Sequence, residues 1–206
     1  MKKITLFFLI GIYFSRIILA EGPVKLAIVA GMNINKYSSS VFSSHVGFHV
    51  GGKTEIVLSK GLYCETGVLL SLKGGKSDWG SAGSISLNPY YLEVPVKVGY
   101  KYAINDSFKV FGKFGPYFSF GLFGKEIDSS GPGDTQTYNV FSDQDALKRF
   151  DAGVGLNLGF EIKNRFQISI GNDWGFLPVY DSSGTSIDLG AGSKNSNLTI
   201  SLSYLF

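Results

Sequence analysis

His45 and His49 follow Ser43 and Ser44 closely, and a serine, an imidazole and an orienting acid in mutual contact are the parts of a nucleophilic hydrolase. With acids available on other segments, a lipid-modifying hydrolase can be sketched from them. Metal chemistry finds less: two histidines and the single Cys64 make no recognised ligand spacing. Asp128, Asp134, Asp143 and Asp145 fall in one long segment and could hold calcium, although a solvated acidic loop is the commoner reason for such a run. No catalytic, cofactor or metal residue is assigned. The more informative set is Glu65, Glu93, Asp151 and Glu161 with Lys97, Lys109, Lys113 and Arg165. Acids and bases in matched numbers read either as an ion-paired polar core or as a proton or ion path.

The elements that carry these residues are strands. From Pro23 onward the hydropathy alternates with period two in eight segments, approximately 24–34, 45–58, 62–74, 86–102, 108–122, 149–162, 166–177 and 196–206. Their even positions are apolar, as in Leu92, Val94, Val96 and Val98, or Leu198, Ile200, Leu202 and Tyr204. Their odd positions carry the charged set, together with Lys25, His49, Lys53, Glu55 and many glycines. A lysine or arginine facing lipid at the bilayer midplane costs about 2–4 kcal/mol, so a charge-free face is what lipid contact requires. A soluble sheet with one buried face would give the same period, and other signals must separate the two.

Composition supplies one. Charged residues are 17% and aromatics 15%, against about 25% charge in an ordinary soluble domain. The chain begins Met-Lys-Lys, continues with the apolar run ITLFFLIGIYF and reaches SRIILA, the order of a secretory leader. Residues 1–20 are expected to be that leader, since the apolar run is too short for a spanning helix of about 20 residues, and residues 21–206 one domain. The formal charge of +3 is then a leader property: Lys2, Lys3 and Arg16 leave, no acid does, and no nucleic-acid partner is indicated. Cys64 stands alone and far from the leader, which excludes an intramolecular disulfide and a lipid-modified N-terminus.

The connections supply the decisive signal. Ser59–Gly61, Ala103–Ser107 and Lys163–Arg165 are short and of odd length, which keeps even numbers on one face. They alternate with the long, polar, glycine-rich segments 35–44, 75–85, 123–148 and 178–195. Outer-membrane barrels sort their tight periplasmic turns and long external loops in this way, and a soluble meander has no reason to. Tyr90, Tyr91, Tyr100, Tyr102, Phe108, Trp174, Phe176 and Tyr180 suit interfacial girdles. Open edges cannot stand in hydrocarbon, so the strands must close. The fold expected is all-β, a closed antiparallel eight-stranded transmembrane barrel in up-and-down order, with ten strands as the alternative if segment 123–148 hides a hairpin. Pro95, Pro116 and Pro178 are expected at bulges or strand ends. The ending NLTISLSYLF resembles a C-terminal strand recognised by the outer-membrane assembly machinery, which makes that machinery and outer-membrane lipid the expected partners.

YYLEVPVKVGYKY in the fourth segment and FDAGVGLNLGFEI in the sixth resemble the PorT-like outer-membrane β-barrel domain. That resemblance covers most of residues 21–206 and rests on strand patterns. It implies a leader before an eight-stranded barrel, with some members serving secretion and gliding machineries.

In a barrel this narrow the lumen is filled by side chains, so Glu65, Glu93, Lys97, Lys109, Lys113, Asp151 and Glu161 read as a structural plug in preference to an ion path. The hydrolase sketch weakens, because such chemistry on lipid needs an outward face that here is apolar. Recognition, if any, falls to the loops, with Tyr138, Phe141 and Tyr180 as candidate contacts. The expected function is a non-enzymatic structural or interaction role through surface loops or periplasmic turns. A small pore, a lipid-modifying enzyme and a soluble lipocalin-like barrel are the alternatives.

Overall fold

The computed structural model describes residues 24–38, 43–78, 83–129, 135–141, 147–179 and 193–206. The expected leader and Tyr180 lie outside them. Among the described residues ten strands follow one another: β1 (Val24–Tyr37), β2 (His45–Val57), β3 (Leu62–Leu72), β4 (Gly75–Asp78), β5 (Ser84–Asn105), β6 (Phe108–Ser129), β7 (Thr135–Asn139), β8 (Phe150–Ile162), β9 (Phe166–Pro178) and β10 (Lys194–Leu205). All the pairings are antiparallel, and β1, β2, β3, β5, β6, β8, β9 and β10 close a ring through the β1–β10 seam, where Ala27 faces Leu205 and Tyr37 faces Asn195.

The ring therefore has eight members, and the two remaining strands lie beyond it. β4 continues the track of β3 and pairs the outer part of β5, while β7 folds back on the end of β6. The hairpin suspected in segment 123–148 exists without widening the barrel. β5 and β6 stay paired from Tyr102–Val110 out to Ser84–Ser129, whereas β6 leaves β8 at Phe120. Together with β4 and β7 they form a flange standing beyond the long-loop end of the ring.

Side-chain direction follows the alternation. Leu26, Ile28 and Met32 are 55–58% exposed, while their odd-numbered neighbours Ala27, Val29 and Asn33 are buried. The apolar face is the outer one, which removes the soluble lipocalin-like reading, in which it would line a pocket. On the outside, Tyr90 stacks on Phe123 at the loop end, and Phe108 stacks on Phe160 at the turn end. Tyr91 belongs to neither girdle, because its odd position turns it inward.

The short connections have the chemistry their geometry demands. Gly61 takes φ +83° in the β2–β3 turn, a region open to glycine at no steric cost. Lys163 and Asn164 take φ 52° and 58° between β8 and β9. The expected five-residue connection 103–107 tightens to Asp106-Ser107, closed by a Ser107 amide donating to Asn105 Oδ1 at 2.9 Å. A bulge between Ala103 and Asn105 absorbs the odd residue and preserves parity.

Two prolines depart from expectation. Pro178 ends β9, but Pro95 and Pro116 sit mid-strand with no shift of register on either side. The ladder simply lapses opposite them, and the Thr66 hydroxyl compensates by donating to the Pro95 carbonyl at 2.9 Å.

Candidate functional site

Inward side chains from all eight ring strands meet in the lumen. At the short-turn end Lys101 from β5 bridges Glu55 of β2 and Glu161 of β8, the latter at 2.5 Å. Gln167 donates to the same two carboxylates at 2.7 and 2.9 Å. Lys109 reaches Glu161 at 3.4 Å and Asn164 at 2.5 Å. Half-way along, Lys113 donates to both oxygens of Glu65, at 2.6 and 2.7 Å, and Lys53 adds a third contact at 3.2 Å. Lys97 joins Asp173 at 3.1 Å and Asn157 at 2.7 Å. Toward the loops Lys73 pairs with Glu93 and lies 4.7 Å from the centre of the Tyr117 ring. Asp151 accepts from Tyr117 at 3.1 Å and from Asn195 at 3.3 Å.

The lysines at 53, 73, 97, 101, 109 and 113 thus face the acids at 55, 65, 93, 151, 161 and 173, and the lumen is formally neutral. Uncompensated buried charge is expensive, which is the physical reason for the equal numbers. The space left in the middle is a cavity of about 40 Å³. A water needs roughly 10–15 Å³ measured in this way, so about three fit.

Glu65, Glu93, Lys97, Lys109, Lys113, Asp151 and Glu161 all turn into this lumen. Asp151 meets a phenol and an amide in place of a cation. Arg165 is not a partner: it sits in the exposed β8–β9 turn, 3.4 Å from the Tyr204 hydroxyl. Lys73, Lys101 and Asp173 were missed as members. The alternation names the last two, since they are odd residues on odd-inward strands; Lys73 lies just past the end of β3.

His49 makes no contact with Ser43 or Ser44. Its Nδ1 lies 2.6 Å from Asn33 Oδ1 and its Nε2 2.9 Å from Ser201 Oγ. The Asn33 amide already donates to the Phe48 carbonyl and the Ser71 hydroxyl, both at 3.0 Å. Its oxygen is left to accept, which places the imidazole proton on Nδ1 and lets Nε2 accept from Ser201. The order serine, imidazole, amide is that of a nucleophile, base and orienting group. Yet Ser201 faces the 40 Å³ cavity, which has no room for an acyl chain.

The outer mouth is closed by a small apolar core. Val140, Phe141 and Leu147 of the long loop pack with Tyr37, Leu87, Tyr91 and Val179. Arg149 fastens them, donating to the Gly121 carbonyl at 3.0 Å and the Phe141 carbonyl at 3.3 Å, with its guanidinium 4.9 Å from the Phe141 ring centre. Of the candidate loop contacts, Tyr138 is exposed on β7, whereas Phe141 is buried in this cap and cannot serve as a surface contact. The difference was invisible in sequence, because both are aromatic residues of one polar loop.

No curated protein sequence matches the chain. Among solved structures it resembles Neisserial surface protein A at 12% identity and TM-score 0.47, covering 89% of this chain and 99% of that one. The attachment invasion locus protein of Yersinia pestis follows at 15% and 0.39, covering 90% and 99%. OprG, an outer membrane protein of Pseudomonas aeruginosa, stands at 12% and 0.46, covering 90% and 97%. The ring of strands, with its apolar exterior and polar interior, defines the fold without leaning on these likenesses. The sequence model of the outer membrane protein beta-barrel domain matches residues 20–181, and the strands close an eight-membered ring: the chain belongs to that family and is a protein of the bacterial outer membrane.

Proposed function

We propose that this barrel is a non-enzymatic interaction protein that meets its partner through the flange at the loop end or the turns at the periplasmic end. One observation carries the reading: the lumen is filled by charge-matched polar side chains and capped outside, while β5 and β6 continue beyond the ring as a paired scaffold on which β7 carries exposed Tyr138. Pairing strands outside the membrane has no value for closing the barrel, and loops held on rigid strands are where scaffolds bind. The plugged lumen argues against a pore, and the confined Ser201 against a lipid-modifying enzyme. Membership of the PorT-like subgroup and service to a secretion machinery rest on the strand motifs at 90–102 and 150–162. Recognition by the assembly machinery rests on β10, which ends at the seam with Phe206 74% exposed.

A photo-crosslinking residue at 138 in intact cells tests the flange, with residue 114 on the lipid face as control. A discrete protein adduct at 138 and none at 114 is expected. No adduct at 138 or at turn positions 59, 106 and 164 would overturn the interaction role. A changed lipid profile on Ser201→Ala would restore the enzyme reading.

A further inference from the structure

Gly112 occupies an outward position on β6 between Val110 and Phe114, in a belt of large apolar side chains. It lies on the floor of a shallow hollow of about 720 Å³ on the lipid-facing surface, walled by Tyr100 and Tyr102 on one side and by Leu158, Phe160 and Ile168 on the other. A Cβ at Gly112 would stand 3.2 Å from Leu158 Cδ2, so any larger residue intrudes on this furrow. Toward the periplasm Tyr100 and Tyr102 also border a second concavity, of about 410 Å³, at the mouth formed by the β2–β3 turn and the end of β5.

The second concavity is cationic. Lys25, Lys60, Lys101 and Lys109 line it with Glu55, and Glu161 lies behind, bonded to Lys101 and Lys109. Four ammonium groups against two carboxylates leave a surplus of two positive charges, in contrast to the balanced lumen above. The surplus is Lys25 and Lys60, neither of which has an ion-pair partner among the described residues. The short turns place this mouth at the periplasmic headgroup level, where the two tyrosines suit the interface.

We propose that the joined concavities bind one anionic glycerophospholipid of the periplasmic leaflet, with its phosphate at Lys60 and Lys25 and an acyl chain in the furrow over Gly112. Apolar furrow and cationic pocket share a wall, and a molecule with an anionic head on an apolar tail fits both at once. A lysine near an anionic lipid contributes about fivefold in affinity, so losing both costs roughly 25-fold. This inference stands apart from the interaction role, because its test reads lipid retention by the purified barrel and a protein partner does not enter it.

The test is native mass spectrometry of the folded full-length barrel in detergent, given equimolar phosphatidylglycerol and phosphatidylethanolamine of identical chains. The wild type is expected to retain a single phosphatidylglycerol in preference. Lys25→Ala/Lys60→Ala should abolish the preference, and Gly112→Phe should reduce retention of both lipids, while Val46→Phe on the far face changes neither. Each variant is first checked for the fold by its gel mobility before and after boiling; if Gly112→Phe fails, Gly112→Val takes its place, and the lysine variant stands alone. Equal retention of the two lipids by the wild type, or an unchanged preference in the lysine variant, overturns the proposal. Displacement of the lipid by millimolar glycerol 3-phosphate would overturn the acyl-chain half, since a soluble phosphate would then suffice.

Discussion

Replacing Glu65 by leucine removes the carboxylate on which Lys113 and Lys53 converge, at 2.6 and 3.2 Å. All three side chains are at most 6% exposed, so two ammonium groups are left in the lumen without a counter-charge. Breaking a buried pair in this way costs about 3–5 kcal/mol. The 40 Å³ cavity beside them admits a few waters and holds the loss toward the lower figure. The triple replacement Lys53→Met, Glu65→Leu, Lys113→Met removes every charge at once, and exchange of buried ions for apolar groups is neutral or stabilising by about 1–4 kcal/mol. Reversible urea unfolding in lipid vesicles, followed by tryptophan fluorescence, measures both. The single variant should lose more than 2 kcal/mol by the same principle, and the triple should recover it. A loss near zero in Glu65→Leu, or a triple variant worse than the single, would refute the view of the lumen as a closed, charge-matched plug.

Four further outcomes are expected. In planar bilayers the wild type shows no discrete conductance steps, and regular steps would mean that the pairs open. With Cys64 replaced, Val96→Cys reacts with a lipid-phase thiol probe and Lys97→Cys does not; equal labelling would overturn the inside-outside assignment. Gly155→Val drives a Cβ to 1.9 Å from Asp173 Oδ1 and 2.6 Å from Lys97 Nζ, so it should cost about 1–3 kcal/mol by overpacking and disturb that ion pair, read by the same unfolding assay. Phe141→Ala should lower the unfolding midpoint and expose the long loop to protease on intact cells, because Phe141 packs on Tyr37 of β1 and Tyr91 of β5; an unchanged midpoint with a protected loop would show that this aromatic ring does not hold the cap on the barrel.

The membrane address and the sidedness of every ring strand were legible in the chain. Lipid tolerates no charge, and a two-residue period converts that rule into a parity that can be read by eye, from Leu26 to Tyr204. Odd-length turns carried the parity from β2 to β3 and from β8 to β9, a bulge beside a two-residue turn carried it from β5 to β6, and the requirement for closed backbone pairing dictated a ring. The flange was not legible, because strands standing outside the membrane are under no such rule. The segments 84–88 and 124–129 pair through their backbones with mixed side chains, and the register shift beside Tyr90 and Tyr91 moves Phe123 to the outside and Gly124 to the inside.

Parity told which residues enter the lumen but not whom they meet. Lys97 finds Asp173 from 76 residues away, and Lys101 ties Glu55 to Glu161 across the mouth, since partners are set by the stagger of eight strands around a closed circle. For the same reason Phe141 went into the cap while Tyr138, three residues earlier, stayed in water. The sequence by itself determined which face of each strand meets lipid, through a local rule of solvation repeated at every second residue. The tertiary structure alone decided how charges pair, which loop seals the barrel and where its surface is left hollow, because those depend on distances that closure of the ring creates.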